Sequence, residues 1–190
     1  MKAMAVGWLR RAASAAAFGA LLALGCQQTP RQVHPTRQYP AIKLESREVS
    51  GVVVDARAPA PDPVVRQLSM PASFDPKVQA RLAALGSGVG PPLGVIVTVV
   101  AADEEPILDA RGPMTRIRVR LELELKLRNG LVLRRANTES RSDLPPDEAT
   151  AEEVEFVLEA TAIDAFDRYF ADPDVLGAIN RELAGQNPSE

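Results

Sequence analysis

From Thr115 to Arg128 apolar and charged residues alternate strictly: Ile117, Val119, Leu121, Leu123, Leu125 and Leu127 are interleaved with Arg116, Arg118, Arg120, Glu122, Glu124, Lys126 and Arg128. A strand sends successive side chains to opposite faces, so this period of two predicts one aliphatic face and one charged face. The sheet containing it is expected to be covered on one side and wet on the other. Asn129-Gly130 follows, a strong hairpin signal, and Leu131 to Ser140 is the expected return strand. A two-residue loop would set Leu131 and Leu133 against Arg128 and Lys126. A three-residue loop with Gly130 left-handed instead pairs Leu127 with Leu131 and Leu125 with Leu133, and is preferred because it keeps the leucines together. Beyond Arg134-Arg135 the pattern degrades, so a bulge or an edge position is expected there.

The other elements are read from shorter signals. Val52-Val53-Val54 after Gly51 is β-rich, extends backwards through Ile42 and Leu44, and is stopped by prolines at 59, 61 and 63. Asp75-Pro76 looks like a cap followed by proline at the first helical position, with Val78, Leu82 and Leu85 on one face before Gly86. Leu93 to Val100 is a near-continuous apolar run of strand length, read as a central strand. Thr150-Ala-Glu-Glu153 is a capping box opening a helix to about Phe170, whose stripe of Val154, Val157, Leu158, Thr161, Ala165 and Tyr169 should face the sheet. Asp172-Pro173 starts a last short helix with Val175, Leu176, Ile179 and Leu183. The expected fold is α+β, a two-layer sandwich in which a mainly antiparallel sheet of about four strands packs on one long helix, with short helices beside it.

Composition changes sharply at the N-terminus. Lys2, Arg10 and Arg11 precede Ala12 to Leu24, which carries no charge. This is the layout of a secretory signal, and the run is shorter than the roughly 20 residues a spanning helix needs. It ends in Leu22-Ala23-Leu24-Gly25-Cys26, which resembles the lipobox of bacterial lipoproteins, apart from Ala23 where a larger aliphatic is usual. The resemblance implies that residues 1–25 are removed and that Cys26 becomes a lipidated N-terminus, held to an envelope membrane by several acyl chains, enough for durable anchoring. Gln27 is not the aspartate that retains some lipoproteins in the inner membrane, so the resemblance favours the outer membrane, facing the periplasm. Cys26 is the only cysteine, so no intramolecular disulfide is possible and stability must come from packing.

Residues 26–40 then read as the lipidated cysteine and a polar, proline-punctuated tether, and 41–190 as one domain. At about 3.3 Å per residue the tether spans up to about 45 Å. Loss of residues 1–25 removes three basic and no acidic residues, leaving a net charge of −6. Such a body has no electrostatic reason to seek nucleic acid.

The element order behind this signal resembles the YajG family of bacterial lipoproteins and, more distantly, the LptE-like lipoproteins. The resemblance runs from about Val52 to Leu183 and is carried by Val52-Val53-Val54-Asp55-Ala56-Arg57, the run Leu93 to Val100, the Asn129-Gly130 hairpin, and the long helix followed by Asp172-Pro173-Asp174. These are patterns of order and turn chemistry, so they imply a fold and no functional residue.

Candidate chemistry is sparse. His34, the only histidine, lies in the tether, so Ser69, Ser73 and Ser87 have no histidine base within the domain. Asp103, Glu104, Glu105 and Asp109 lack calcium-loop spacing and read as a solvated connection, so neither a metal nor a cofactor is expected. The expected role is a non-catalytic binding or assembly module of the envelope, with a small-molecule-binding lipoprotein or a hydrolase as alternatives. An envelope protein is the expected partner beyond the membrane itself. Two surfaces are candidates for it. Arg116, Arg118 and Arg120 stand in line and would suit an anionic headgroup or acidic partner, unless they form a solvated face balanced by Glu122 and Glu124. Phe156, Ile163 and Phe170, seven apart, make a ridge opposite the sheet-facing stripe of the long helix. Either the terminal helix folds back over this ridge, or it stays open as a partner groove or dimer contact.

Overall fold

The structure is a computed structural model that describes Tyr39 and residues 42–59, 62–110, 112–146 and 149–185. The expected signal, Cys26 and His34 lie outside the described residues. The elements are β1 (Val49–Asp55), β2 (Arg66–Gln67), α1 (Phe74–Leu85), β3 (Leu93–Asp109), β4 (Gly112–Leu127), β5 (Val132–Leu144), α2 (Ala151–Ala171) and α3 (Pro173–Ala184). They form an α+β sandwich with strand order β1-β3-β4-β5, in which β1 runs parallel to β3 and the pairs β2–β3, β3–β4 and β4–β5 are antiparallel. Three helices, rather than one long helix alone, make the second layer: α1 packs against β1, α2 against β4 and β5, and α3 against α2 and β5.

The alternation in β4 does what its period requires. Ile117, Val119, Leu121, Leu123 and Leu125 are fully buried and join Val95, Val97, Leu158, Ala162 and Phe166 in one core. Thr150 caps α2 by accepting from the Glu153 amide at 3.2 Å, and Asp172 caps α3 by accepting from the Asp174 amide at 2.9 Å. Each cap satisfies a donor that the first helical turn leaves without a partner.

Three local expectations are corrected. First, α1 begins at Phe74 with Ser73 in the cap position, so Asp75 lies inside the first turn rather than at its cap. Phe74 is 2% exposed, and burying it draws the helix start back. Second, Asp103, Glu104 and Glu105 do not form a loop. They belong to β3, which continues to Asp109 because β4 pairs with it along its whole length, across an irregularity at Val99/Ala101. Asp103 faces Arg118 and Glu105 faces Arg116 across the strands, so the acidic run is neutralised in the ladder.

The third correction is the register of β5. Gly130 is left-handed (φ 87°), the Leu127 amide donates to the Leu131 carbonyl at 2.9 Å, and Lys126 opposes Val132, as a three-residue loop requires. The ladder then shifts by one residue, so that Leu125 opposes Arg134 and not Leu133. The shift has a clear cause. Without it Arg135, Glu139 and Arg141 would turn toward the core. The bulge at Leu133 reverses the strand's facing and leaves Thr138, Ser140 and Ser142 opposite the buried residues Leu121, Val119 and Ile117.

Those inward hydroxyls are satisfied by α2: Thr138 donates to the Ala165 carbonyl at 2.9 Å, Ser140 to the Asp164 carboxylate, and Thr161 bonds Ser142 at 2.7 Å. The edge of the sandwich is therefore held by hydrogen bonds where its centre is held by aliphatic packing.

Candidate functional site

Two surfaces inherit the sequence-derived candidates, and the fold treats them differently. The three arginines of β4 do lie on the outer face of the sheet, but flanking strands supply each with a carboxylate. Arg116 binds Asp143 of β5 at 2.8 Å, Arg118 binds Asp103 of β3 at 2.9 Å, and Arg120 approaches Glu139 of β5 at 3.9 Å. Further along the same face Glu124 is bound by both Lys126 and Arg135. The face is a lattice of alternating signs. Its arginines are committed to intramolecular pairs, which leaves little net field to attract an anionic headgroup.

The lattice has a predictable acid response. Lys126, and after it Arg135, hold the Glu124 carboxyl below its ordinary range. The unfolded chain then binds the proton more readily than the native one, so this contribution to stability is present above the ordinary glutamate range and is lost as pH falls through the depressed native value. Glu124→Gln is expected to be less stable than the parent at pH 7, with the gap in denaturant midpoint closing on acidification below about pH 4. A gap that stays constant with pH would mean that charge does not cause it.

The aromatic ridge of α2 is divided. Ile163 and Phe170 are buried at 4% and 1% exposure, while Phe156 is 48% exposed. An open groove along all three is therefore ruled out, and folding back of the terminal helix is not the whole reason. Ile163 lies one turn from both Glu159 and Asp167, and α1 pairs with both, Lys77 to Glu159 at 2.7 Å and Arg81 to Asp167 at 2.8 Å. Helix α1 thus lies along this side of α2. Phe170 packs in a cluster with Phe166 and Tyr169, ring centroids 5.1 and 5.0 Å away. Burial pushes the Asp167 carboxyl above its ordinary range even with Arg81 beside it.

A third feature corrects the expected backward extension of the first strand through Ile42 and Leu44: β1 begins only at Val49, and Leu44 makes an isolated bridge to Gly86. Tyr39 and residues 42–48 form a strap that touches all three helices. The Tyr39 hydroxyl, inside the segment read as tether, donates to Asp164 of α2 at 2.8 Å. Lys43 donates to the Ala84 carbonyl at the end of α1 at 2.6 Å, and Asn180 of α3 accepts from the Glu45 amide at 3.0 Å. Within it Leu44 and Ser46 are fully buried. Asp164 also accepts from Ser140 and Arg168, so Tyr39 completes a network spanning α2 and the β5 edge. No periodicity announces such a strap, because each contact is made with a partner far away in the chain.

The outer face of β1 and β3 was also missed. Val52 and Val54 are 54% and 41% exposed and lie beside Ile96 and Thr98. The available signal was that the run Val52-Val53-Val54 is apolar at every position, not at every second one.

Among the described residues no group of three or more His, Cys, Asp or Glu side chains is placed to hold a metal ion. The buried acids Asp103 and Glu124 are each bound to basic side chains rather than to one another, which is the arrangement of structural pairs. Comparison with models of protein families and with curated proteins finds no match to this chain.

Proposed function

We propose that this chain is an envelope lipoprotein of the YajG-like type, anchored through lipid on Cys26, and that its α+β domain acts as a non-catalytic binding or assembly module. The observation that carries the reading is the order of the N-terminal residues: Lys2, Arg10 and Arg11, an uncharged apolar run, then Leu-Ala-Leu-Gly-Cys26. Among the described residues no helix is long and apolar enough to cross a membrane. In this reading covalent lipid keeps the domain at a bilayer, and two or more acyl chains suffice for that. The absence of an aspartate after Cys26 favours the outer membrane.

The non-catalytic part of the reading is motivated by the internal engagement of the groups that chemistry would use. The outer-face arginines are paired, the inward hydroxyls of β5 are bonded to α2, and Ser73 and Ser87 have no histidine in the domain to activate them.

The test is metabolic labelling with a clickable fatty acid. Wild type is expected to incorporate the label and Cys26→Ser to lose it completely, with the precursor left unprocessed. Equal labelling of the two would refute the anchor.

A further inference from the structure

The parallel pair β1–β3 has the composition of a sheet covered on both faces. Val49 to Val54 and Leu93 to Val100 contain no charge, and parallel strands with such near-continuous apolar runs are normally covered on both sides. Here helix α1 covers one face, while Val52 and Val54 remain exposed on the other. β1 also ends the strand order. The Glu48 carbonyl and the Ala56 amide bond to β3. By strand alternation, Val49, Gly51, Val53 and Asp55 therefore present their backbone groups to the edge. Gln79 reaches the Gly51 carbonyl at 3.0 Å, and among the described residues no strand but β3 pairs with β1. The opposite edge is different in kind: β5 carries Arg135, Glu139, Arg141 and Asp143, charges of the sort that keep other strands away.

A row of backbone donors and acceptors specifies an extended strand as occupant, and the exposed valines specify apolar side chains opposite them. The same strand of another copy supplies both. In an antiparallel pair related by a two-fold axis at Val53, edge-facing residues meet edge-facing residues, and each Val52 lies opposite Val54 of the second copy. Charge selects this register. An axis at Val52 would oppose Arg47 to Arg57 of the second copy, and an axis at Gly51 would oppose Val54 to Glu48. With the axis at Val53, Asp55, already held by Arg57, meets Gly51, which has no side chain.

We propose that two copies of this chain pair antiparallel through the β1 edge, joining their sheets across Val52, Val53 and Val54. Tyr39 is bound at the β5 side of the sandwich, so the described N-terminal end does not occupy this edge. With the axis at Val53 the two strands overlap from Gly51 to Asp55, a five-residue ladder about 17 Å long, which makes a smaller contact than a standard interface, so the association is reversible and concentration-dependent. It does not depend on the lipid anchor.

The experiment uses the full chain in detergent with Cys26→Ser, which removes its only thiol. Val52→Cys and Val54→Cys are prepared separately, checked for unchanged thermal melting, and oxidised mildly alone and mixed. Directly opposed residues of a non-hydrogen-bonded pair are close enough for a disulfide, so the mixture is expected to give at least about fivefold more covalent dimer than either variant alone. Leu108→Cys, 81% exposed on the long β3–β4 hairpin, mixed with Val54→Cys reports random collision. Dimer from the Val52 and Val54 mixture at or below that control overturns the pairing. Val52→Cys that dimerises as readily alone as in the mixture overturns the register. In envelope extract, an adduct to another protein without self-dimer assigns the edge to a foreign strand and likewise overturns the proposal.

Discussion

Leu123→Asp is expected to cost the domain more than about 3 kcal/mol, and Glu122→Leu, one residue away, to stay within about 0.5 kcal/mol. Leu123 is fully buried between Val97 of β3 and Ala136 of β5, in a core where, among the described residues, no basic side chain is buried. Glu122 points to the other face, where Arg135 approaches it at 3.7 Å and solvent reaches it. Exposed pairs of that kind contribute little, and the leucine there loses only a weak ion pair. Denaturant midpoints of the purified chain measure both changes. Since a domain of this size has about 5–15 kcal/mol of total stability, the aspartate variant should lose a large fraction of its parent's denaturant midpoint. Similar losses in the two variants would mean that the two faces of β4 are assigned the wrong way round.

Gly51→Ala is expected to be far more damaging than Gly94→Ala, the glycine change in the strand paired with it. A Cβ at this position would lie 2.3 Å from the Val95 carbonyl oxygen and 2.7 Å from a methyl of Leu82. The first neighbour is backbone of the paired strand, so β1 would have to move away from β3 and from α1 together. Overpacking of this type costs about 1–3 kcal/mol and more where backbone must shift. Gly94→Ala is the matched comparison, since its Cβ would meet nothing closer than the Lys126 carbonyl at 3.6 Å, ordinary contact distance. Alanine there also favours the strand slightly over glycine. Thermal unfolding should therefore separate the two variants by several degrees. Equal melting temperatures would show that α1 and β1 can part without cost.

The acid response of Glu124 and the labelling of Cys26 probe other levels of the molecule. The first concerns the charged face of the sheet, and the second concerns the means by which the domain is held at a membrane. Neither depends on the β1 edge, so each can fail alone.

What the sequence by itself determined follows from local rules. The facing of β4 is contained in its period of two, because an aliphatic face must leave water whatever its neighbours are. The cap of α2 at Thr150 and the start of α3 at Asp172-Pro173 are equally local, since the first turn of a helix is satisfied by residues within three positions. The charged, then apolar, then cysteine order at the N-terminus is a property of composition and needs no fold to be recognised. The tertiary structure alone decided matters that depend on distant partners. The bulge at Leu133 arises because three charges would otherwise face the core, and only the completed β4–β5 ladder reveals that conflict. The arginine line became a neutral lattice because Asp103, Glu139 and Asp143 come from the two strands beside it. Ile163 is buried because α1, some 80 residues earlier in the chain, places Lys77 and Arg81 against the residues one turn on either side of it. Local periodicity specifies which face of an element must be hidden, but what hides it is chosen by packing, and packing joins residues that the linear sequence keeps far apart.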